Sequence, residues 1–151
     1  MKSLKILSMM LLLVATLVGC KKENTPDGST SVNSKLVGQW ELTEWNGEAP
    51  EFNVYLDFKG DATFAIYQQV WSLYYELFEG TFQTSGDIVT GTYEGGSNWA
   101  SGYKFAVEGN KLTLHSQEDQ SVTSVYEKCE IPEDIISEAT TTRSAEVVPF
   151  L

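Results

Sequence analysis

The chain has 151 residues, a formal net charge of −11 from 21 acidic and 10 basic residues, and two cysteines. So acidic a balance excludes nucleic acid as a partner, because binding phosphates needs clustered Lys and Arg; its ordinary consequence is solubility and non-adhesion. The length suits one domain once an N-terminal segment is set aside.

That segment is residues 1–19. Lys2 and Lys5 are its only charges, and Ile6 to Val18 is apolar apart from Ser8 and Thr16. A short basic stretch, an apolar core and a small-residue exit describe a secretory signal peptide. The core is too short to cross a bilayer, which takes about 20 apolar residues. Its exit, Leu17-Val18-Gly19-Cys20, resembles the lipobox of bacterial lipoproteins. The resemblance implies cleavage before Cys20, a diacylglycerol on the Cys20 thiol and an acylated new amino terminus. Two or three acyl chains make a lasting membrane anchor where one would not. The expected location is the cell envelope, on the outer membrane, with its periplasmic and outer faces both open.

Residues 20–34 read as the lipidated cysteine and a flexible tether. Val32 is the single aliphatic residue from 21 to 34, too little apolar surface to order the stretch; its coil dimension is on the order of 20 Å. Lys21-Lys22-Glu23 is similar in part to the charged surface-export signals of some Gram-negative lipoproteins. With Cys20 lipidated, Cys129 has no partner for an internal disulfide, although export permits one. It reads as a small, inert, half-apolar residue at a strand end.

From Leu36 to Glu130 strand follows strand. Leu36, Gly38, Trp40 and Leu42 alternate with Val37, Gln39, Glu41 and Thr43. Val54, Leu56 and Phe58 alternate before the turn Lys59-Gly60-Asp61, and Phe64 and Ile66 lead into Tyr67 to Val70. Trp71, Tyr74, Tyr75 and Phe78 fit helical spacing too, but Phe78, Gly80 and Phe82 carry the alternation onward, and aromatic residues favour strands. A loop is therefore expected near Ser72. Val89, Gly91 and Tyr93 follow, then Tyr103, Phe105 and Val107, then Leu112 and Leu114, then Val122 to Cys129. Period-two alternation between Gly, Asn and Asp turns predicts about eight short antiparallel strands. An up-and-down barrel and a sandwich both satisfy this; a barrel also removes exposed sheet edges. Trp40, Phe58, Phe64, Phe82, Tyr93 and Phe105 would point inward, which argues for a small cavity or none. Pro132-Glu133-Asp134 reads as a helix start, with Ile135, Ile136 and Ala139 able to pack on the barrel, and the apolar run Val147 to Leu151 reads as docked.

Gly38-Gln39-Trp40 on the first strand, with about seven more strands and a C-terminal helix, resembles the lipocalin-like domains of small bacterial lipoproteins. The resemblance covers residues 35–151. It implies an all-β, eight-stranded antiparallel up-and-down barrel with a short C-terminal helix. It also implies that Gly38 and Trp40 build the barrel floor, beneath a basic side chain supplied by Arg143 or Lys128. The chain is shorter than true lipocalins and lacks the paired cysteines many of them use.

No catalytic or metal-ligating pattern is present. The one histidine, His115, sits on the face opposite Leu112 and Leu114, and no Gly-x-Ser-x-Gly elbow occurs. The acidic residues are dispersed, without calcium-loop spacing, no His/Cys cluster could hold zinc, and no cofactor is implied. The unusual feature is aromatic content: Trp71, Tyr74, Tyr75, Trp99 and Tyr103 fall around two loops. Two expectations stand side by side. In one, these rings ring the mouth of a carrier that binds or sequesters a small apolar or amphipathic molecule. In the other, the barrel is filled and they form an outward patch of a protein-interaction, inhibitor or accessory module. Rings that serve only as core and rim of a small barrel would account for them equally well.

Overall fold

The structure, a computed structural model, describes residues 31–141 and 147–151. The expected signal peptide, Cys20, the tether as far as residue 30, and Arg143 lie outside the described residues. Eight strands realise the alternation: β1 Gly38–Trp45, β2 Asn53–Phe58, β3 Thr63–Gln69, β4 Glu76–Ser85, β5 Ile88–Tyr93, β6 Tyr103–Glu108, β7 Lys111–Ser116 and β8 Thr123–Cys129. Each pairs antiparallel with the next, and β1 also pairs with β8, from Gln39↔Cys129 to Trp45↔Ser124. That last ladder separates a barrel from a sandwich: the sheet closes on itself and hides its edges. The shortest seam is β5–β6, paired only through Ile88↔Lys104 and Val89↔Tyr103. Between β3 and β4 the chain is an open loop rather than a helix, as the onward alternation of Phe78, Gly80 and Phe82 requires.

Alternate side chains of every strand meet in one buried cluster, which contains all six rings expected to point inward. The rings touch edge to face across the interior, Phe58 and Phe82 at 4.9 Å and Phe64 and Tyr93 at 5.6 Å between centroids, a geometry favoured by the ring quadrupole. The interior is therefore packed by the protein's own side chains. A second cluster lies on the outer wall, where Tyr55, Ala65 and Tyr67 meet Ile131 and Ile135. Helix α1, Glu133–Glu138, carries two acids in its first turn and buries Ile135. Ala139 packs there too, whereas Ile136 is exposed, being about 100° further round the helix than Ile135. The short strand β9, Thr140–Thr141, then pairs parallel with Glu76 and Leu77 of β4.

Because neighbouring strands run in opposite directions, the loops 46–52, 70–75, 94–102 and 117–122 gather at one end, the mouth, and the remaining hairpin turns at the other, the floor. At the floor, fully buried Trp40 donates its indole N–H to the Leu36 carbonyl at 2.9 Å. Lys128 lies over its ring, Nζ 5.4 Å from the centroid, so Lys128 is a basic partner of Trp40. Gly38 has φ 141°, and a Cβ there would meet Lys128 Cε at 3.0 Å, which explains glycine at this place. The Ser31 carbonyl accepts from Thr84 N at 2.6 Å and Thr84 Oγ1 at 3.0 Å, and Val32 packs against the core. Residues 31–34, expected to be tether, thus run along the floor.

Candidate functional site at the barrel mouth

The mouth is apolar because the inward alternation continues into its loops, and because a bulge between Leu42 and Glu44 turns Trp45 to the inner face. Trp45 ends β1, Phe52 precedes β2, Val70 follows β3 and Val122 precedes β8. Trp45 and Phe52 meet edge to face at 5.3 Å. The segment 147–151 enters among them: the Phe150 ring lies 5.7 Å from Phe52 and 6.2 Å from Trp45, and Leu151 is buried in the main core. A groove of about 540 Å³ remains, lined by Trp45, Phe52, Val70, Trp71, Val122 and residues 148–150.

Three inward polar side chains lie below the groove. Gln68, 0% exposed, donates from Nε2 to the Val148 carbonyl at 3.1 Å and accepts at Oε1 from the Phe150 N–H at 2.8 Å. Tyr93 donates its hydroxyl to the Leu151 carbonyl at 2.5 Å. Burial raises the Tyr93 pKa above its ordinary value, so the phenol stays neutral and able to donate. Glu76 stands opposite Gln68 in the β3–β4 ladder, and its Oε2 is buried without a hydrogen-bond partner among the described residues. Such a concave, largely apolar site with a few polar groups suits binding by shape and desolvation. Among the described residues no group of three or more His, Cys, Asp or Glu could hold a metal ion.

The five aromatic residues singled out in the sequence fall in three different places. Trp71 and Tyr74 share the 70–75 loop, 79% and 75% exposed, with Leu73 between them at 88%; Trp71 lines the groove. Tyr75 turns to the outer wall, 6.2 Å from Tyr55, where burial raises its pKa. Trp99 and Tyr103 are buried in the barrel core. Trp99 swings in from its loop to lie 5.0 Å from Phe64 and 6.2 Å from Phe58. It rests on Gly91, where any Cβ would fall inside the indole. An inward glycine amid large neighbours is the mark of such an approach. Trp45, Phe52, Val70, Val122 and Gln68 escaped the sequence reading as site residues. Phe52, Val70, Val122 and Gln68 each carried a signal there, being in register with inward residues of the adjoining strand, whereas Trp45 lies beyond a bulge that the alternation does not reveal.

The cysteine expected to be inert, Cys129, is half-buried beside the outer cluster. Burial first, and Glu41 next, push its thiol up to about 11, which disfavours the nucleophilic thiolate.

A family model described as a lipocalin-like domain matches residues 36–114. No curated protein matches the chain. Among solved structures, an uncharacterized protein from Bacteroides eggerthii DSM 20697, determined by crystallography at 2.60 Å, is similar at 17% identity. The match covers 62% of this chain and 98% of that one, with a TM-score of 0.46. With the model spanning more than half of the chain, across strands β1 to β7 of the closed barrel, this protein belongs to the lipocalin-like domain family, whose barrels are in general ligand-binding and typically non-enzymatic.

Proposed function

We propose that this is a non-enzymatic, membrane-anchored envelope protein, held at the outer membrane by lipid on Cys20, whose barrel mouth binds or sequesters a small apolar or amphipathic molecule. The groove of about 540 Å³ at the mouth carries this reading. Its volume lies within the range of small-molecule sites, roughly 300–1,000 Å³, and the packed interior below it favours a ligand held at the mouth over one held deep in the barrel. Titration with a neutral naphthylamine fluorophore tests it. Trp45→Ala together with Phe52→Ala should weaken binding at least about tenfold, since each ring contributes on the order of 1 kcal/mol or more of desolvated contact. Unchanged affinity in the folded double variant would overturn the mouth site. For the anchor, palmitate fed to growing cells should label the protein and not its Cys20→Ala variant; equal labelling of the two would contradict lipid attachment at Cys20.

One observation favours a second reading, an interaction module: Trp71, Leu73 and Tyr74 stand exposed together on the 70–75 loop. Rings of this kind are frequent anchors of protein interfaces. In that case Trp71→Ala with Tyr74→Ala would abolish partner capture.

A further inference from the structure

We infer that the mouth is a peptide-binding site, and that Val147–Leu151 occupies it as the protein's own ligand. The inference rests on the mouth being the binding site and names the chemistry it takes: an extended, apolar peptide segment.

The hydrogen bonding carries this furthest. In a parallel β-ladder one residue donates to the carbonyl before its partner and accepts from the N–H after it. The Gln68 amide does the same with its side chain, donating to Val148 and accepting from Phe150. The residue between them is Pro149, which has no N–H to satisfy. Gln68 is fully buried and therefore commits its amide to a backbone rather than to water. A hydrocarbon or sterol in the same place would leave that amide unpaired, at the cost of a buried orphan donor and acceptor. Tyr93 reads a further carbonyl, that of Leu151.

Side chains are read selectively. Phe150 packs against the touching pair Trp45 and Phe52 and Leu151 enters the core, whereas the Val148 side chain is exposed. Backbone hydrogen bonds that give affinity, with apolar slots that select side chains, are the means by which extended peptides are bound. The buried Glu76 Oε2 opposite Gln68, without a partner among the described residues, leaves an acceptor for one more donor, which a longer or differently placed peptide would supply. With the segment attached, a free peptide competes against a local concentration on the order of millimolar, so the site binds it well only once the segment is out.

The test uses the full chain carrying a protease recognition sequence inserted between Ser144 and Ala145, cut after folding. Native mass spectrometry reads whether the cut segment stays, and anisotropy reads whether labelled Val-Val-Pro-Phe-Leu exchanges into the barrel. Retention with exchange is expected, as is a loss of about tenfold or more for Gln68→Leu. The same loss is expected for a peptide N-methylated at its Phe, which needs no change in the barrel. The inference is overturned if a folded, cut barrel does not rebind the peptide. It is equally overturned if the barrel unfolds on cutting and added peptide does not restore it, or if the N-methylated peptide binds as well as the parent. Should the naphthylamine bind the cut barrel while the peptide does not, the peptide inference falls and the mouth site stands; if neither binds, both fall.

Discussion

The two ends of the barrel are sealed by opposite means. The floor is closed by side chains of the barrel strands themselves: Trp40 bonds to Leu36, four residues away, and Lys128 of β8 lies over it across the strand pair Trp40↔Lys128. The mouth is closed by a segment from the far side of the sequence, bonded to Gln68 over 80 and 82 positions and to Tyr93 over 58. Trp40 and Lys128 stand on paired strands of the closing ladder, whereas residues 147–151 join no strand, so the floor belongs to the fold and the mouth is the end that can open. In barrels of eight strands the interior is just wide enough for side chains to fill or to hold one small ligand. Here Trp99, Phe58, Phe64 and Phe82 take the interior, which leaves the mouth as the place for exchange.

The largest expected effect is at the floor. Trp40→Ala removes a fully buried ring and its hydrogen bond, and should cost about 3–5 kcal/mol in urea unfolding. A smaller loss would mean that the floor is no firmer than the mouth. Next comes Gln68→Leu, which orphans the Val148 carbonyl and the Phe150 N–H and should cost about 2–3 kcal/mol. It should also speed hydrogen exchange at the Phe150 amide while leaving the Leu42 and Tyr126 amides in the β1–β8 ladder protected. Equal acceleration at both ends would erase the contrast. Smallest is Lys128→Ala, which removes the cation over Trp40 and should cost about 0.5–1 kcal/mol. This variant sharpens the comparison by showing that the indole, more than the charge over it, holds the floor.

The same contrast explains what the sequence could reveal. Strand count, inward rings and floor are local patterns: alternation of two, glycine turns, and Gly38-Gln39-Trp40 read within a few residues. Barrel closure needed the β1–β8 ladder, which alternation alone does not distinguish from a sandwich. The site was less legible. Trp99 and Tyr103 look like loop aromatics in sequence, yet Gly91 opens the space that draws Trp99 inside. Trp71 and Tyr74 remained in their loop because β3 ends at Gln69 and the ladder resumes only at Glu76. The docking of Val147 to Leu151 could be read from its apolarity, but its partner could not, since nothing local to Gln68 points across some 80 positions.

Whether ligand is held at the mouth above a filled barrel is decided by nuclear magnetic resonance during titration with the neutral naphthylamine. The four tryptophans give four indole N–H signals, two belonging to groove residues Trp45 and Trp71 and two to buried Trp40 and Trp99. With ligand at the mouth, the Trp45 and Trp71 signals move with added probe while those of Trp40 and Trp99 hold. Movement of Trp99 with Trp45 unchanged would contradict a mouth site, because the ligand would then sit inside the barrel that these side chains fill.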